Sequence, residues 1–124
     1  MHMELVSFIS SELGTDLIVS FAIVNQFDGA DIECLILMRT PKFEHLLYEW
    51  ERGPAVSFDR EDESDAVIVL REIEFIRDER RIRVRTDDRT YDLDVRKVDP
   101  VELTKAGRVL QKMNFDSSFR LAGW

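Results

Sequence analysis

The first half of the chain contains two runs in which apolar, β-branched side chains follow one another without a helical period. Residues 17–24 and 32–39 are apolar on both faces, which is typical of strands covered from both sides. The connection between them contains Asp28 and Gly29, a pair that favours a turn. The pattern therefore predicts two strands joined by a hairpin loop longer than the shortest type.

Residues 3–13 are ambiguous, but their spacing favours a short helix. Leu5, Phe8, Ile9 and Leu13 stand at i, i+3, i+4 and i+8. Gly14 follows at the place where a helix often ends in a left-handed residue. We predict a helix here and keep a strand as the alternative.

A second helix is predicted over residues 42–50. Its apolar residues occupy positions 0, +3, +4 and +7 of a single stripe, which we expect to be buried: Phe43, Leu46, Leu47 and Trp50. Pro41 suits a first helical turn, and Gly53 with Pro54 ends the pattern. Residues 55–59 then read as a short strand.

Three further strands are predicted at residues 66–76, 81–86 and 90–98. Their alternation places one set of side chains on a common apolar face, namely Ile73, Phe75, Ile82, Val84, Tyr91, Leu93 and Val95. Tight turns would pair positions that sum to 157 in the first hairpin and to 177 in the second. The other face then aligns Glu74, Arg83 and Asp94 in one row, and Glu72, Arg85 and Asp92 in the next. Such a charge ladder mainly specifies the register.

The sequence that follows predicts a C-terminal helix. Asp99 is a good N-cap, Pro100 suits the first helical position, and Glu102 stands three residues after the cap. We expect four of its side chains to face the core: Leu103, Val109, Leu110 and Met113. The tail keeps apolar residues to its end, so we expect it to pack on its own domain or on a second copy: Phe115, Phe119, Leu121 and Trp124.

These elements predict an α+β fold in a single domain spanning residues 1–124. The expected architecture is an antiparallel sheet of five to six strands, including a C-terminal three-strand meander, with two to three helices packed against it. The length suits one domain, since domains commonly hold about 100–200 residues. Whether residues 1–3, with His2, are a cloning remnant is left open.

Composition narrows the classes of function. The chain of 124 residues has 25 acidic and 17 basic side chains, a net charge of −8, which argues against nucleic-acid binding. Its apolar runs are shorter than the roughly 20 residues that span a bilayer, so we expect a soluble protein with no membrane partner. Its start lacks the pattern of a secretory signal, and a single cysteine suits a reducing, cytoplasmic location.

No motif for catalysis or for a cofactor stands out, so the sequence favours a protein that is not an enzyme. His45 and Glu49 are four residues apart, which is too few ligands for a metal site, and we interpret them as an exposed pair. Cys34 lies in an apolar strand and is interpreted as a small core residue. We expect no cofactor and no metal.

Charge is distributed unevenly along the chain. Residues 1–65 hold 14 acidic and 4 basic residues, a net of −10, whereas residues 66–124 hold 11 and 13, a net of +2. Two acidic segments are the candidate binding surface for a basic protein, and their members are Asp59, Glu61, Asp62, Glu63, Asp65, Asp28, Asp31 and Glu33. A solvated surface that only keeps the protein soluble is the alternative.

Three functions are compatible with these observations. The first is a non-catalytic acidic binding protein, such as an inhibitor or immunity protein that neutralises a bacterial nuclease toxin, with Arg39, Arg52 and Trp50 as candidate anchors at the rim. The second is a small-molecule binder or small enzyme with a pocket between sheet and helices, lined by Phe21, Phe27, Tyr48, Phe75 and Tyr91. The third is a homo-oligomeric structural protein, a homodimer joined through the C-terminal tail. The sequence ranks the first highest.

Overall fold

The computed structural model describes residues 3–25, 31–59 and 67–124, and within them the chain forms eight strands, one α-helix and three short 3-10 helices. The strands are β1 (Glu4–Leu13), β2 (Leu17–Val24), β3 (Ile32–Arg39), β4 (Ala55–Phe58), β5 (Glu72–Ile76), β6 (Arg81–Arg85), β7 (Thr90–Asp94) and β8 (Arg120–Ala122). The α-helix is α1 (Pro100–Met113), and the 3-10 helices are Pro41–Leu46, Glu49–Glu51 and Arg77–Glu79.

The eight strands described form one mixed sheet in the order β4-β3-β2-β1-β7-β6-β5-β8. Two antiparallel blocks, β1 to β4 and β5 to β7, are joined by the parallel pair β1–β7, and β8 adds to β5 in parallel. The predicted antiparallel sheet of five to six strands with two to three helices is therefore wrong. Parallel pairing links residues as distant as Glu4 and Leu93, and such non-local contacts leave no periodic signature in the sequence.

The predicted N-terminal helix is the strand β1. A bulge between Val6 and Phe8 inserts one residue, so that the buried residues Val6 and Ile9 are three apart, as they would be on a helix. Leu13, which the helical spacing counted as apolar and inward, is exposed. The bulge thus explains why the spacing of the apolar residues resembled a helical one.

The predicted amphipathic helix over residues 42–50 is also absent. The chain forms the 3-10 helix Pro41–Leu46, and Leu47 then turns to extended backbone before a second short 3-10 helix at Glu49–Glu51. The residue of the first 3-10 helix that is buried is Glu44, which pairs with Arg39. Burial of that ion pair determines the orientation of the segment, and its apolar side chains face solvent instead.

Strands β2 and β3 are confirmed with the bounds predicted from the sequence. They pair over their whole length, from Leu17 opposite Arg39 to Val24 opposite Ile32. The expectation that they are covered on both faces is only partly met, because alternate residues such as Ile18 and Ser20 are half-buried. The short strand predicted at residues 55–59 is confirmed as β4, which pairs with β3.

The C-terminal meander is confirmed, with shorter outer strands than predicted. The register of the first hairpin is as predicted, with Glu72 opposite Arg85 and Glu74 opposite Arg83. The register of the second hairpin is wrong by two residues, since Arg83 lies opposite Asp92 and Arg85 opposite Thr90. A shift of two keeps every side chain on its predicted face but changes its partner.

The physical reason for the shift is a tighter turn. The N–H of Thr86 donates to the carbonyl oxygen of Arg89 at 2.9 Å, which leaves Asp87 and Asp88 as a two-residue loop. In the ladder, Nε of Arg83 lies 3.4 Å from Oδ1 of Asp92. Glu72 is shared by two arginines, because its Oε2 is 3.8 Å from Arg85 and 2.8 Å from Arg120 of β8.

Helix α1 begins as predicted. The Asp99 carboxylate accepts a hydrogen bond from the N–H of Val101 at 2.8 Å, which caps the helix. The four side chains expected in the core are buried. Glu102 differs from the expected capping box, because its Oε1 accepts a hydrogen bond at 2.8 Å from the N–H of Ile9 and thereby ties α1 to β1.

The apolar tail packs on its own chain. Its residues Arg120–Ala122 form β8 beside β5, Phe119 is buried, and the Trp124 ring lies 5.3 Å from the ring of Phe75. Gly123 has a φ of +80°, and a Cβ at this position would lie 2.0 Å from the carbonyl oxygen of Phe75. Glycine is therefore required for the tail to approach β5 this closely.

Candidate functional site

The described members of the two acidic segments, Asp31, Glu33 and Asp59, lie at one end of the β3–β4 hairpin. The N–H of Cys34 donates to Oδ2 of Asp59 at 2.9 Å, and the N–H of Asp59 donates to the carbonyl oxygen of Cys34 at 3.1 Å. Because β3 and β4 are antiparallel, the start of β3 and the end of β4 lie side by side. Asp31 and Asp59 are exposed there and Glu33 is half-buried. We call these three residues the acidic end of the hairpin.

The other members of the predicted surface lie outside the described residues: Asp28, Glu61, Asp62, Glu63 and Asp65. Residues 60–66 follow directly after Asp59, and residues 26–30 directly precede Asp31. Pairing of β3 with β4 therefore brings the anchoring points of both acidic segments together. Nothing in the sequence pattern alone required this pairing.

The residues considered for chemistry are not brought together. His45 and Glu49 are both exposed, but they stand on separate 3-10 helices. Cys34 is a free thiol and half-buried, rather than a fully buried core residue. Among the described residues, no group of three or more His, Cys, Asp or Glu side chains could hold a metal ion. In the same part of the chain, no helix is long and apolar enough to cross a membrane.

Arg39 was considered as an anchor at the rim of an interface, and this prediction is wrong. It is 2% exposed, and its Nε lies 2.6 Å from Oε2 of Glu44. Its two Nη atoms donate to both carboxylate oxygens of Asp116, at 2.9 and 2.7 Å, and its Nη1 also donates to the carbonyl oxygen of Met113. The guanidinium further stacks on the Phe115 ring at 4.1 Å. Arg39 is thus a structural link between the end of β3 and the turn after α1.

Electrostatics support this structural role. Burial lowers the pKa of Arg39, but hydrogen bonds to Asp116 and Glu44 more than offset that effect and raise its pKa above the ordinary value. Hydrogen bonds from the same guanidinium hold the pKa of Asp116 well below its usual range. Both groups are therefore charged throughout the physiological pH range.

Trp50 was predicted to lie in the core and is instead 72% exposed. Its ring stacks on that of Tyr48, with a centroid distance of 4.7 Å and an interplanar angle of 3°. Three further apolar side chains of the same segment are also exposed: Phe43, Leu46 and Leu47. We call residues 43–50 the aromatic segment. It lies between β3 and β4, at the end of the hairpin opposite to the acidic end. Arg52 is exposed beside it and donates from Nη2 to the carbonyl oxygen of Leu47.

A cavity of about 540 Å³ lies between α1 and the turn that joins β5 to β6. Its lining is Phe75, Arg77, Arg80, Pro100, Leu103, Thr104, Gly107, Arg108, Gln111 and Trp124. Of the five aromatic residues proposed from the sequence as a pocket lining, it contains Phe75. Phe21 and Tyr91 are buried in the core, Tyr48 is exposed, and Phe27 lies outside the described residues.

Sequence reasoning missed the basic residues of this cavity. Arg77 and Arg80 lie between the strands predicted at residues 66–76 and 81–86, and Arg108 lies in the predicted C-terminal helix. They converge because α1 packs beside the end of the β5–β6 hairpin. The clustering of arginines around residue 80 was the available signal, but it could not identify which other element would face it.

The described parts of the chain form a mixed-sheet protein with one long helix, an acidic end on one hairpin and a cationic cavity beside the helix. No family model, no curated protein and no solved structure matches the chain.

Proposed function

We propose that the chain is a non-catalytic binding protein that uses its acidic surface to dock and neutralise a basic protein. An inhibitor or immunity protein for a bacterial nuclease toxin is the role that such a surface would suit. A nuclease binds phosphate with a cationic site, and displayed carboxylates are the complementary chemistry. The single cysteine, Cys34, favours a cytoplasmic location for this role.

The observation that carries the proposal is the position of the described acidic residues at a single strand end. Asp31, Glu33 and Asp59 lie at one end of the β3–β4 hairpin, next to the points where residues 26–30 and 60–66 continue the chain. Residues 1–65, which contain both acidic segments, hold 4 basic side chains against 14 acidic ones. Arg39, one of the four, is already committed to Glu44 and Asp116.

The contact described for the Asp59 carboxylate at the acidic end is structural rather than catalytic. Asp59 accepts a hydrogen bond from the backbone of Cys34, which fixes the strand end but places no base beside a nucleophile. A surface of fixed negative charge accelerates and orients the approach of a cationic partner, by factors of about 10 to 1,000 at low salt. Binding by charge complementarity is therefore the function that these residues serve best.

The test is capture of partners from the source cell with the native chain, followed by kinetics on the protein that is enriched. The decisive variant combines Glu61→Gln, Asp62→Asn and Glu63→Gln. It keeps Asp59, which bonds to the backbone of Cys34. We expect a basic partner whose association rate with this variant falls by about tenfold at low salt and much less at high salt.

The matched control removes the same charge from exposed positions elsewhere, by Glu12→Gln, Glu49→Gln and Asp78→Asn. This variant should keep the association rate of the native chain. Equal effects of the two triple variants would show that only net charge matters. Either that result or an enriched partner that is acidic would refute the proposed docking surface.

The alternative of a small-molecule binder is favoured by one specific observation, the cavity beside α1. The alternative of a homo-oligomer joined by its tail gains nothing comparable, because Arg120–Ala122 pairs with β5 of the same chain.

A further inference from the structure

The cavity beside α1 is lined by three cationic side chains. Arg77 and Arg80 flank the turn between β5 and β6, and Arg108 approaches from the helix. The lining contains no acidic residue. Within the described ranges, no carboxylate forms an ion pair with any of the three, whereas Arg71, Arg83 and Arg96 all have one. Three like charges around one cavity repel one another, and an anion would relieve that repulsion.

Two buried hydrogen-bond donors point to the same conclusion. Nε of Arg80 and the indole Nε1 of Trp124 are both buried, and neither has a hydrogen-bond partner. A buried donor left without an acceptor is energetically unfavourable. Both residues line the cavity, and an acceptor that reaches either donor would satisfy it.

The remaining walls favour a ligand with an apolar body. Phe75, Leu103 and the Trp124 ring provide an apolar surface. Gly107 allows Trp124 to lie against the helix, since a Cβ at this position would be 3.2 Å from the indole ring. The volume of about 540 Å³ falls within the range of roughly 300–1,000 Å³ that is typical of sites for small organic molecules.

The cationic wall is held in place by the fold. Arg77 donates from Nε to the carbonyl oxygen of Gly123 at 2.6 Å, and its guanidinium lies 5.3 Å from the centre of the Phe75 ring. Arg80 ends the 3-10 helix Arg77–Glu79 in a left-handed conformation, with a φ of 51°. Such a conformation is uncommon for a residue other than glycine.

We propose that this cavity is a binding site for a small organic anion with a flat apolar body and a carboxylate or phosphate group. The anionic group accepts hydrogen bonds from Arg80 and Trp124 and is neutralised by Arg77 and Arg108. The apolar body lies between Leu103 and the ring of Trp124. This site is separate from the acidic end of the β3–β4 hairpin, and it does not rest on the function proposed for that surface.

The test uses two anionic probes, naphthoate and naphthyl phosphate. Naphthalene methanol serves as a neutral probe of similar shape, and inorganic phosphate as an anion without an apolar body. Calorimetry on the full chain should give a dissociation constant for at least one organic anion that is tenfold or more below those of the neutral probe and of phosphate. Equal binding of the anionic and neutral probes would overturn the proposal, as would no binding of either organic anion at millimolar concentration.

The location of binding can be read from the two tryptophans of the chain. In proton–nitrogen correlation spectra, the indole signal of Trp124 should move when the anion binds, because its N–H gains an acceptor. The signal of Trp50, which is exposed on a different part of the chain, should not move. Trp124→Phe assigns the two signals, and a probe that shifts Trp50 alone would refute the assignment of the site.

Matched variants of α1 test the role of charge. Arg108 and Lys105 are both exposed on α1, but of the two only Arg108 lines the cavity. Arg108→Met should weaken binding of the anion by about threefold to tenfold, and Lys105→Met should leave it within twofold. Thr104→Trp, which fills the cavity from an exposed helix position, should abolish binding while the chain stays folded by circular dichroism. Equal affinities for the Arg108 and Lys105 variants would contradict the proposal.

Discussion

Arg39 at the end of β3 and Asp116 after α1 form a bidentate ion pair across 77 positions of the chain, with Nη–Oδ distances of 2.9 and 2.7 Å. The same guanidinium also binds Glu44. One buried cation therefore joins the end of β3, the 3-10 helix Pro41–Leu46 and the turn after α1. Because the pair is buried on the arginine side, removal of Arg39 leaves two carboxylates without their partner.

We expect Arg39→Met to lower the free energy of unfolding by about 3 kcal/mol or more, because breaking a buried pair strands the remaining charges. Urea denaturation monitored by circular dichroism measures the change. Arg85→Met is the control, since the Arg85 side chain is 55% exposed and 3.8 Å from Glu72. Arg85→Met should lower the free energy of unfolding by no more than about 1 kcal/mol. Similar losses in both variants would contradict the structural role of Arg39.

The same pair predicts a dependence of stability on pH. The pKa of Asp116 is lowered in the folded chain by hydrogen bonds from Arg39, so its contribution is present above the unfolded pKa, near 3.9, and is lost as the pH falls through the folded value. Below about pH 4, the free energy of unfolding of the native chain should therefore fall more steeply than that of Asp116→Asn. Urea titrations at several pH values measure the slopes, with Asp78→Asn as a control. Parallel slopes for the native chain and Asp116→Asn would exclude this linkage.

Glu102 accepts a hydrogen bond from the N–H of Ile9, so its side chain makes a tertiary contact with β1 and not a local cap of α1. Glu102→Ala should lower the free energy of unfolding by about 1–3 kcal/mol, because the backbone donor of β1 loses its acceptor. Glu102→Gln keeps an acceptor and should cost less. Hydrogen exchange in Glu102→Ala should accelerate at the amide of Ile9. Acceleration at the amide of Asp99 alone would indicate the capping box expected from the sequence.

Trp50 provides a test of the aromatic segment. Because its side chain is 72% exposed, Trp50→Ala should change the free energy of unfolding by no more than about 1 kcal/mol. Leu110→Ala, at a fully buried position of α1, should cost about 2–5 kcal/mol. Chemical denaturation of both variants measures the contrast. If Trp50→Ala lowered the free energy of unfolding as much as Leu110→Ala, the result would contradict the exposed position of Trp50. It would support the buried helical stripe predicted from the sequence.

Gly123 tests how the tail is attached. Gly123→Ala places a Cβ against the backbone of Phe75 at a φ that disfavours a side chain, so we expect a loss of about 2 kcal/mol or more and faster hydrogen exchange in β8. Gly14→Ala is the control, because the nearest atom to its added Cβ is 4.0 Å away. Equal stability of the two variants would show that β8 does not depend on this close approach.

The sequence by itself was sufficient where the signal is local. Runs of apolar, β-branched residues located β2 and β3, alternation of apolar and polar residues located the meander, and the cap at Asp99 located the start of α1. The acidic segments were likewise evident from charge density alone. These features depend on residues within a few positions of one another, which is the range over which strand alternation and helix capping act.

Tertiary structure decided everything that depends on distant partners. The bulge in β1 placed Val6 and Ile9 on one face and made a strand resemble a helix. The pair of Arg39 with Glu44 turned the aromatic segment towards solvent, although its spacing predicted burial. Burial of a charge requires its counter-charge, and the position of that partner is not encoded in the spacing of apolar residues.

In both candidate sites, the sequence determined some features and the tertiary structure decided the others. Asp31, Glu33 and Asp59 were identified from the sequence, but their position together at one end of a hairpin follows from the pairing of β3 with β4. The cationic cavity was missed, because Arg80, Arg108 and Trp124 are brought together by the packing of α1 and the tail against the β5–β6 hairpin. A local pattern can specify an element and its exposed charge. Only long-range packing specifies which elements face one another, because those contacts join residues that share no periodic relationship along the chain.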